Sequence, residues 1–307
     1  MTLKPNSVVA LHHWSWIQKT PSVWLPRRLI PLIPLLVFLC VPLFACVPLS
    51  FLSCQPTLCT TTTGADVVLQ REVAERLANE AVKADRQQQI VELGGLKLLL
   101  PLTKSEDNEV QRLAAHALAN LSVSTDNQIK LARQGGVEML ITLLPNKNVH
   151  VQRQAAKALA NLGVNVENKI TIAELGGIPP LVNLIESSEE NVQIEAVAAL
   201  ANLAVNDENE VSIGESGALP LIVQCGRSSN VELLSQASRA LRNLSVDAAN
   251  KEIIYDCGGY ELLQELSESR HERIAAQARR ALVNLGKGNR KWGFRVYEGF
   301  PGIQVGR

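Results

Sequence analysis

The sequence predicts an all-α fold, a solenoid of stacked units with three helices in each. Three observations carry this expectation. The dipeptide Asn-Leu recurs at 120–121, 161–162, 202–203, 243–244 and 284–285, always at the same step. A glycine pair marches in the same register, at Gly94-Gly95, Gly135-Gly136, Gly176-Gly177 and Gly258-Gly259, with Gly217-Ala218 between the last two. Asn127, Asn168, Asn209 and Asn250 form a third series at that step. Self-similarity at one period, without insertions, marks a repeat array in which each unit packs only against its neighbours. Asn79 falls one step before the first dipeptide. The array therefore starts with a half unit near residue 66, and five full units run from about 86 to 287.

The unit that begins near Glu167 shows the elements in order. ENKITIAELGG is a short amphipathic stretch with Ile170, Ile172 and Leu175 on one side, closed by the glycine pair. Glycine takes the left-handed conformation that ends a helix and turns the chain. GIPPLVNLIESS follows, where Pro179 suits a first helical turn. The third stretch, SSEENVQIEAVAALANLAV, opens with Ser187-x-x-Glu190, a capping-box pattern that returns at Ser229/Glu232 and Ser269/Glu272. Its alanines favour helix. No window shows the alternation of a half-buried strand.

At about 100° per residue the third helix divides into two faces. Counted from the repeated Asn as zero, positions −10, −6, −3, −2 and +1 are apolar in nearly every full unit. In the unit 86–126 they are Val110, Ala114, Ala117, Leu118 and Leu121, the predicted core side. Positions 0, −4, −7, −8 and −11 lie together on another side and are mostly polar and variable. One face builds the stack, and the other is predicted to be free for binding.

The stretches QQIVELGGLKLLLPLTKSEDNEVQRLAAHALANLS and NKITIAELGGIPPLVNLIESSEENVQIEAVAALANLA resemble the armadillo repeat at full repeat length. The resemblance covers 66–287, the greater part of the chain. It implies a right-handed superhelix of three-helix units with a concave groove. It also implies that the Asn of each third helix bonds the backbone of an extended peptide lying there. Carried over, these residues are Asn120, Asn161, Asn202, Asn243 and Asn284. The sequence departs from importin-α, in which Trp stands four residues before this Asn and packs lysine stems. The positions here hold His116, Lys157, Ala198, Arg239 and Arg280, which argues against nuclear-import cargo.

The same face carries Arg112, His116, Arg153, Lys157, Arg239 and Arg280, with Glu109, Glu195 and Glu232 interspersed. Arginine suits paired contacts to carboxylate or phosphate, so acidic or phosphorylated segments are the expected partners. Each cation taken singly also reads as a solvated charge on a helix face, and each Asn as a helix-end hydrogen bond to a neighbouring turn. Arg242 and Arg279 sit at the edge as weaker candidates.

Residues 66–287 carry 22 bases and 29 acids, an acidic balance that speaks against nucleic acid as a partner. No phosphate loop, nucleophile elbow, HExxH or Cys/His cluster is present, so no enzyme, metal, cofactor or small-molecule substrate is expected. Cys225 and Cys257 read as idle thiols. The sequons at Asn120-Leu-Ser122 and Asn243-Leu-Ser245 fall on the predicted groove and read as chance matches, and His150 and His271 read as exposed rather than ligating.

The ends leave the pattern. Residues 1–65 hold four bases and no acid, and 29–54 run without a charge, long enough to cross a membrane. Pro31, Pro34, Pro42 and Pro48 make that run a poor regular helix. An anchor, a cleaved targeting segment and a misplaced gene start are the competing readings. As an anchor, Lys19, Arg27 and Arg28 before the run would put the repeats outside the cytosol, whereas armadillo repeats normally work in the cytosol or nucleus. Residues 288–307 are basic, with Trp292, Phe294, Tyr297 and Phe300.

The expected function is a non-catalytic scaffold or adaptor that binds other proteins in the groove. Alternatives are a membrane-anchored tether at an organelle surface and a substrate-recognition subunit of a ubiquitin ligase or transport complex. The expected location is the cytoplasm, at a membrane if 29–54 is an anchor, or a plastid or secretory organelle if residues 1–65 are a targeting segment.

Overall fold

A computed structural model describes residues 66–286. The apolar run 29–54 and the tail 288–307 lie outside the described residues. Among the described residues sixteen helices follow one another and no strand forms. The first, α1 (Val67–Ala81), stands alone. Five triplets follow: α2 (Ala84–Glu92), α3 (Gly95–Leu102) and α4 (Asn108–Leu121); α5 (Thr125–Arg133), α6 (Gly136–Leu143) and α7 (Val149–Leu162); α8 (Val166–Glu174), α9 (Ile178–Ile185) and α10 (Glu190–Leu203); α11 (Asp207–Glu215), α12 (Ala218–Cys225) and α13 (Val231–Leu244); α14 (Ala248–Asp256), α15 (Gly259–Ser267) and α16 (Glu272–Leu285). None of them is long and apolar enough to cross a membrane.

The glycine pair divides two tasks. Gly135 has φ 81°, and its counterparts at 94, 176, 217 and 258 share this left-handed backbone, which L side chains adopt only at a cost. The second glycine answers to space: a Cβ on Gly136 would lie 2.8 Å from the Leu131 carbonyl oxygen. That close approach folds the second helix back on the first.

Third helices pack in sequence, α1 on α4, α4 on α7, α7 on α10, α10 on α13 and α13 on α16. Val110, Ala114, Ala117, Leu118 and Leu121, the predicted core side of α4, are fully buried. Small residues at the contacts let neighbouring backbones approach, and the leucines of the second helices fill the space behind them. The core is aliphatic throughout, and the only ring pair among the described residues is Tyr255 stacked on Tyr260, 5.2 Å between centroids.

Asn168, Asn209 and Asn250, the third sequence series, are buried and tie first helices together. Their Nδ2 groups donate to the carbonyls of Gln128, Lys169 and Glu210, each 40 residues back. Asn127, which opens the series, is buried with neither amide atom paired.

Three expectations need correction. The capping-box serines are not N-caps. Asn230 caps α13, accepting from the backbone N–H of Glu232 and Leu233, while Glu189 and His271, at the N-cap positions of α10 and α16, make no side-chain cap. The backbone N–H groups of Ser187 and Ser269 still donate to Leu184 and Leu266, so these serines belong to the turn that closes the second helix. Leu175 is exposed rather than part of the apolar side, because α8 ends at Glu174 and the chain is already turning toward Gly176. Finally, the predicted free face of the third helix is partly covered: Leu113, Ala198, Ser235 and Gln236 are buried against neighbouring elements.

Candidate binding face

The third helices bring the five asparagines onto one side of the stack, half-buried. Asn161 Nδ2 donates to the Ala119 carbonyl at 3.3 Å and to Ser122 Oγ at 3.0 Å. Asn202 and Asn243 donate to the carbonyls of Ala160 and Ala201, both at 2.7 Å. Asn284 donates to the Arg242 carbonyl at 3.0 Å and to Ser245 Oγ at 3.1 Å. These carbonyls belong to the last turn of the preceding third helix, where intrahelical partners run out. Four of the five thus make the helix-end hydrogen bond to a neighbouring turn that the sequence offered as the alternative to peptide binding. Asn120, the first of the row, instead pairs through Nδ2 with His116 Nε2 at 3.2 Å. Burial, then Arg112 and Lys157, hold the His116 pKa below its ordinary value, which favours the neutral ring, whose Nε2 can accept from the amide.

The sequons lie within this bonding. Ser122 and Ser245 are fully buried, and their hydroxyls donate to the carbonyls of Ala119 and Arg242.

The cations divide into two groups. Arg112 is engaged by its own helix: Nε and Nη2 donate to the Glu109 carboxylate at 2.8 and 2.6 Å. This pairing raises the Arg112 pKa and lowers that of Glu109. Arg153 and Lys157 face Glu195, whose pKa is raised by burial despite their attraction. Arg153 is half-buried and its Nε has no acceptor.

Farther along, Arg239 reaches back to the Ala198 carbonyl at 3.2 Å, and its Nε is also buried and unpaired. Arg242 donates through Nε and Nη2 to Asn243 Oδ1 at 3.0 and 2.6 Å. Asn243 Oδ1 is thereby occupied, while Nδ2 keeps one hydrogen beyond its bond to Ala201. Arg273 and Arg280 are exposed on α16. Arg239 feels Arg273 and Arg242, and Arg242 feels Arg280. Burial, then these like charges, lower the pKa of Arg239 and Arg242. The edge candidate Arg279 is paired with Glu272.

Sequence reading did not notice a second row. Val82, Val123, Val164, Val205 and Val246 stand three residues past Asn79, Asn120, Asn161, Asn202 and Asn243, and all are between 58% and 61% exposed. The spacing is written in the sequence; the exposure follows only from the fold. Where α13 meets α16, Val205, Val246 and Val283 line a depression of about 470 Å³ with Arg242, Asn243 and Arg280.

Among the described residues no group of three or more His, Cys, Asp or Glu is placed to hold a metal ion. Cys225 and Cys257 are free, and burial pushes both thiols up to about 11, which keeps them protonated and unreactive. His150 and His271 are exposed.

The sequence model of the armadillo/beta-catenin-like repeat family matches residues 84–123, 124–164, 165–205 and 206–246. The chain belongs to the armadillo repeat family. None of the curated proteins matches it. Among solved structures, an engineered protein is 36% identical over 74% of this chain and 94% of its own, with a TM-score of 0.69. A designed armadillo repeat protein is 27% identical over 75% of this chain and 99% of its own, with a TM-score of 0.70. Another, solved in complex with the peptide (KR)4, is 27% identical over 75% of this chain and 98% of its own, with a TM-score of 0.68. The fold is thus a protein-binding scaffold of stacked armadillo units.

Proposed function

We propose that this chain is a non-catalytic adaptor whose third-helix face holds an extended segment of another protein, acidic or phosphorylated in character. One observation carries the reading: a row of asparagine amides lies beside cations that the fold does not fully neutralise. Asn161 and Asn202 each spend Nδ2 on the preceding unit, and no donor among the described residues occupies Oδ1. Oδ1 of both, and the second amide hydrogen of Asn202, can then bond a peptide group, whereas Asn161 Nδ2 is committed to Ala119 and Ser122. Arg153, Lys157, Arg239 and Arg280 supply positive charge along the row, and the exposed valines offer apolar contact at its rim. The designed relative bound to (KR)4 carries a basic peptide. The cations here favour the opposite sign.

The test is affinity capture of tagged full-length protein from its own cells, beside a variant with Asn161→Ala, Arg153→Glu, Lys157→Glu and Arg239→Glu. Loss of partners from a variant with native helicity supports the groove. Retention of every partner overturns it.

A further inference from the structure

We infer that Arg239 and Arg242 on α13, with Arg273 and Arg280 on α16, form a receptor for a phosphorylated side chain. This deepens the reading above and rests on it: the partner segment carries its phosphate at the fourth and fifth units.

The argument begins with unbalanced charge. None of the four arginines forms a salt bridge among the described residues, and Glu232 is the one carboxylate that acts on Arg239. At the other end of the row, Arg112 is held in a bidentate pair with Glu109, and Arg153 and Lys157 act on Glu195. Of these cations only Arg112 is neutralised in a salt bridge, and what sets α13 and α16 apart is that four arginines gather there.

The second argument is preorganisation. Arg239 is fixed by the Ala198 carbonyl, and its buried Nε–H points at no acceptor. Arg242 is fixed by Asn243 Oδ1, which is itself anchored to the next unit back through Ala201. Two guanidinium groups are thus pinned with donors to spare, and two more on α16 are exposed beside them. The adjoining depression sets Val205, Val246 and Val283 beside Arg242 and Arg280, with Asp207 and Glu210 also in its lining.

A carboxylate brings one charge and would leave most of this cluster uncompensated. A phosphorylated serine or threonine brings about −1.5 to −2 and three strong acceptor oxygens, which match several forked donors. The valines add a place for an aliphatic residue next to it.

The test uses full-length protein and three immobilised degenerate nonapeptide pools, with phosphoserine, serine or glutamate fixed at the centre. Binding is read at equal salt, with helicity checked by circular dichroism. The native protein is expected to bind the phosphoserine pool about tenfold more tightly than the serine pool. Arg273→Gln with Arg280→Gln, two exposed changes that leave the core alone, removes that preference. Arg153→Gln with Lys157→Gln keeps it. No preference for phosphoserine in the native protein overturns the inference. So does a preference that survives R273Q/R280Q, or one lost through R153Q/K157Q instead. Glutamate-pool binding that depends on Arg153 and Lys157, without phosphoserine preference, overturns this site and leaves the acidic-segment reading standing. Failure of all three pools removes both.

Discussion

Asn202 shows how one side chain serves the stack and the face together. Its Nδ2 donates to the Ala160 carbonyl at 2.7 Å, so Asn202→Ala strips an end-of-helix carbonyl of its partner. The expected loss of stability is about 1 kcal/mol in urea unfolding. An asparagine used only to hold peptide would show no loss in the free protein. Glu195, seven residues earlier, makes the opposite kind of contribution. Burial raises its pKa above the ordinary 4.5, so the folded chain holds the proton more tightly than the unfolded one. Its stability contribution is full below about pH 4.5 and is lost as pH rises through the raised value. Glu195→Gln is therefore expected to be more stable than the native protein at about pH 7, with the gap closing toward about pH 4. An unchanged gap across that range would show that Glu195 ionises as freely folded as unfolded. Gly135 is a simpler case: at φ 81°, an alanine there costs about 1–2 kcal/mol, although its Cβ would touch nothing.

At the scale of the element, the third helix and its cap separate what pattern can reveal from what it cannot. Ser229 fits the sequence template for a cap, but Asn230 holds the position and accepts from Glu232 and Leu233. Asn230→Ala is expected to lower stability by about 1 kcal/mol and Ser229→Ala to leave it nearly unchanged, a contrast that paired thermal melts resolve. The error has a physical source. A template fixes spacing between residue types, whereas the boundary depends on where the preceding turn releases the chain. The core side of α4 was legible because burial follows helical angle, and angle follows from residue number. The partners of polar groups were not. Arg112 and Arg153 occupy equivalent positions on α4 and α7, yet Arg112 has Glu109 three residues before it and Arg153 has His150. The first forms a bidentate pair and the second keeps an unpaired donor. That difference was written in the sequence but has meaning only once the helix sets both side chains on one face. The role of Arg242 was further from reach, since its bond to Asn243 joins adjacent residues on the helix. The valine row was hidden for another reason: an apolar residue at fixed spacing suggests core until its exposure is seen.

At the scale of the molecule, the two asparagine series fix how units join. Third-helix amides reach carbonyls 42 residues back, and first-helix amides reach carbonyls 40 residues back, so the two series bracket the repeat length from either side. Stability in such an array is a sum over units and nearest-neighbour contacts. Removing one whole unit should then preserve every rule of the fold, and removing part of one should not. Deleting 165–205 joins Val164 to Asn206, the same Val-Asn junction that stands at 164–165 and at 205–206. In the shortened chain Asn243 meets the Ala160 carbonyl in place of Ala201, and Asn209 meets that of Gln128 in place of Lys169. Both bonds go to backbone, so the change of neighbour costs neither series its partner. The expected product has full helicity per repeat residue, one cooperative melt and a modestly lower midpoint, with the arginines of α13 and α16 still adjacent. Deleting 165–185 instead removes α8 and α9 and strands α10 without the helices behind it. Circular dichroism and calorimetry on the two deletions decide the matter. Equal damage from both would mean that the units are not interchangeable and that long-range contacts, rather than neighbour contacts, hold the array together.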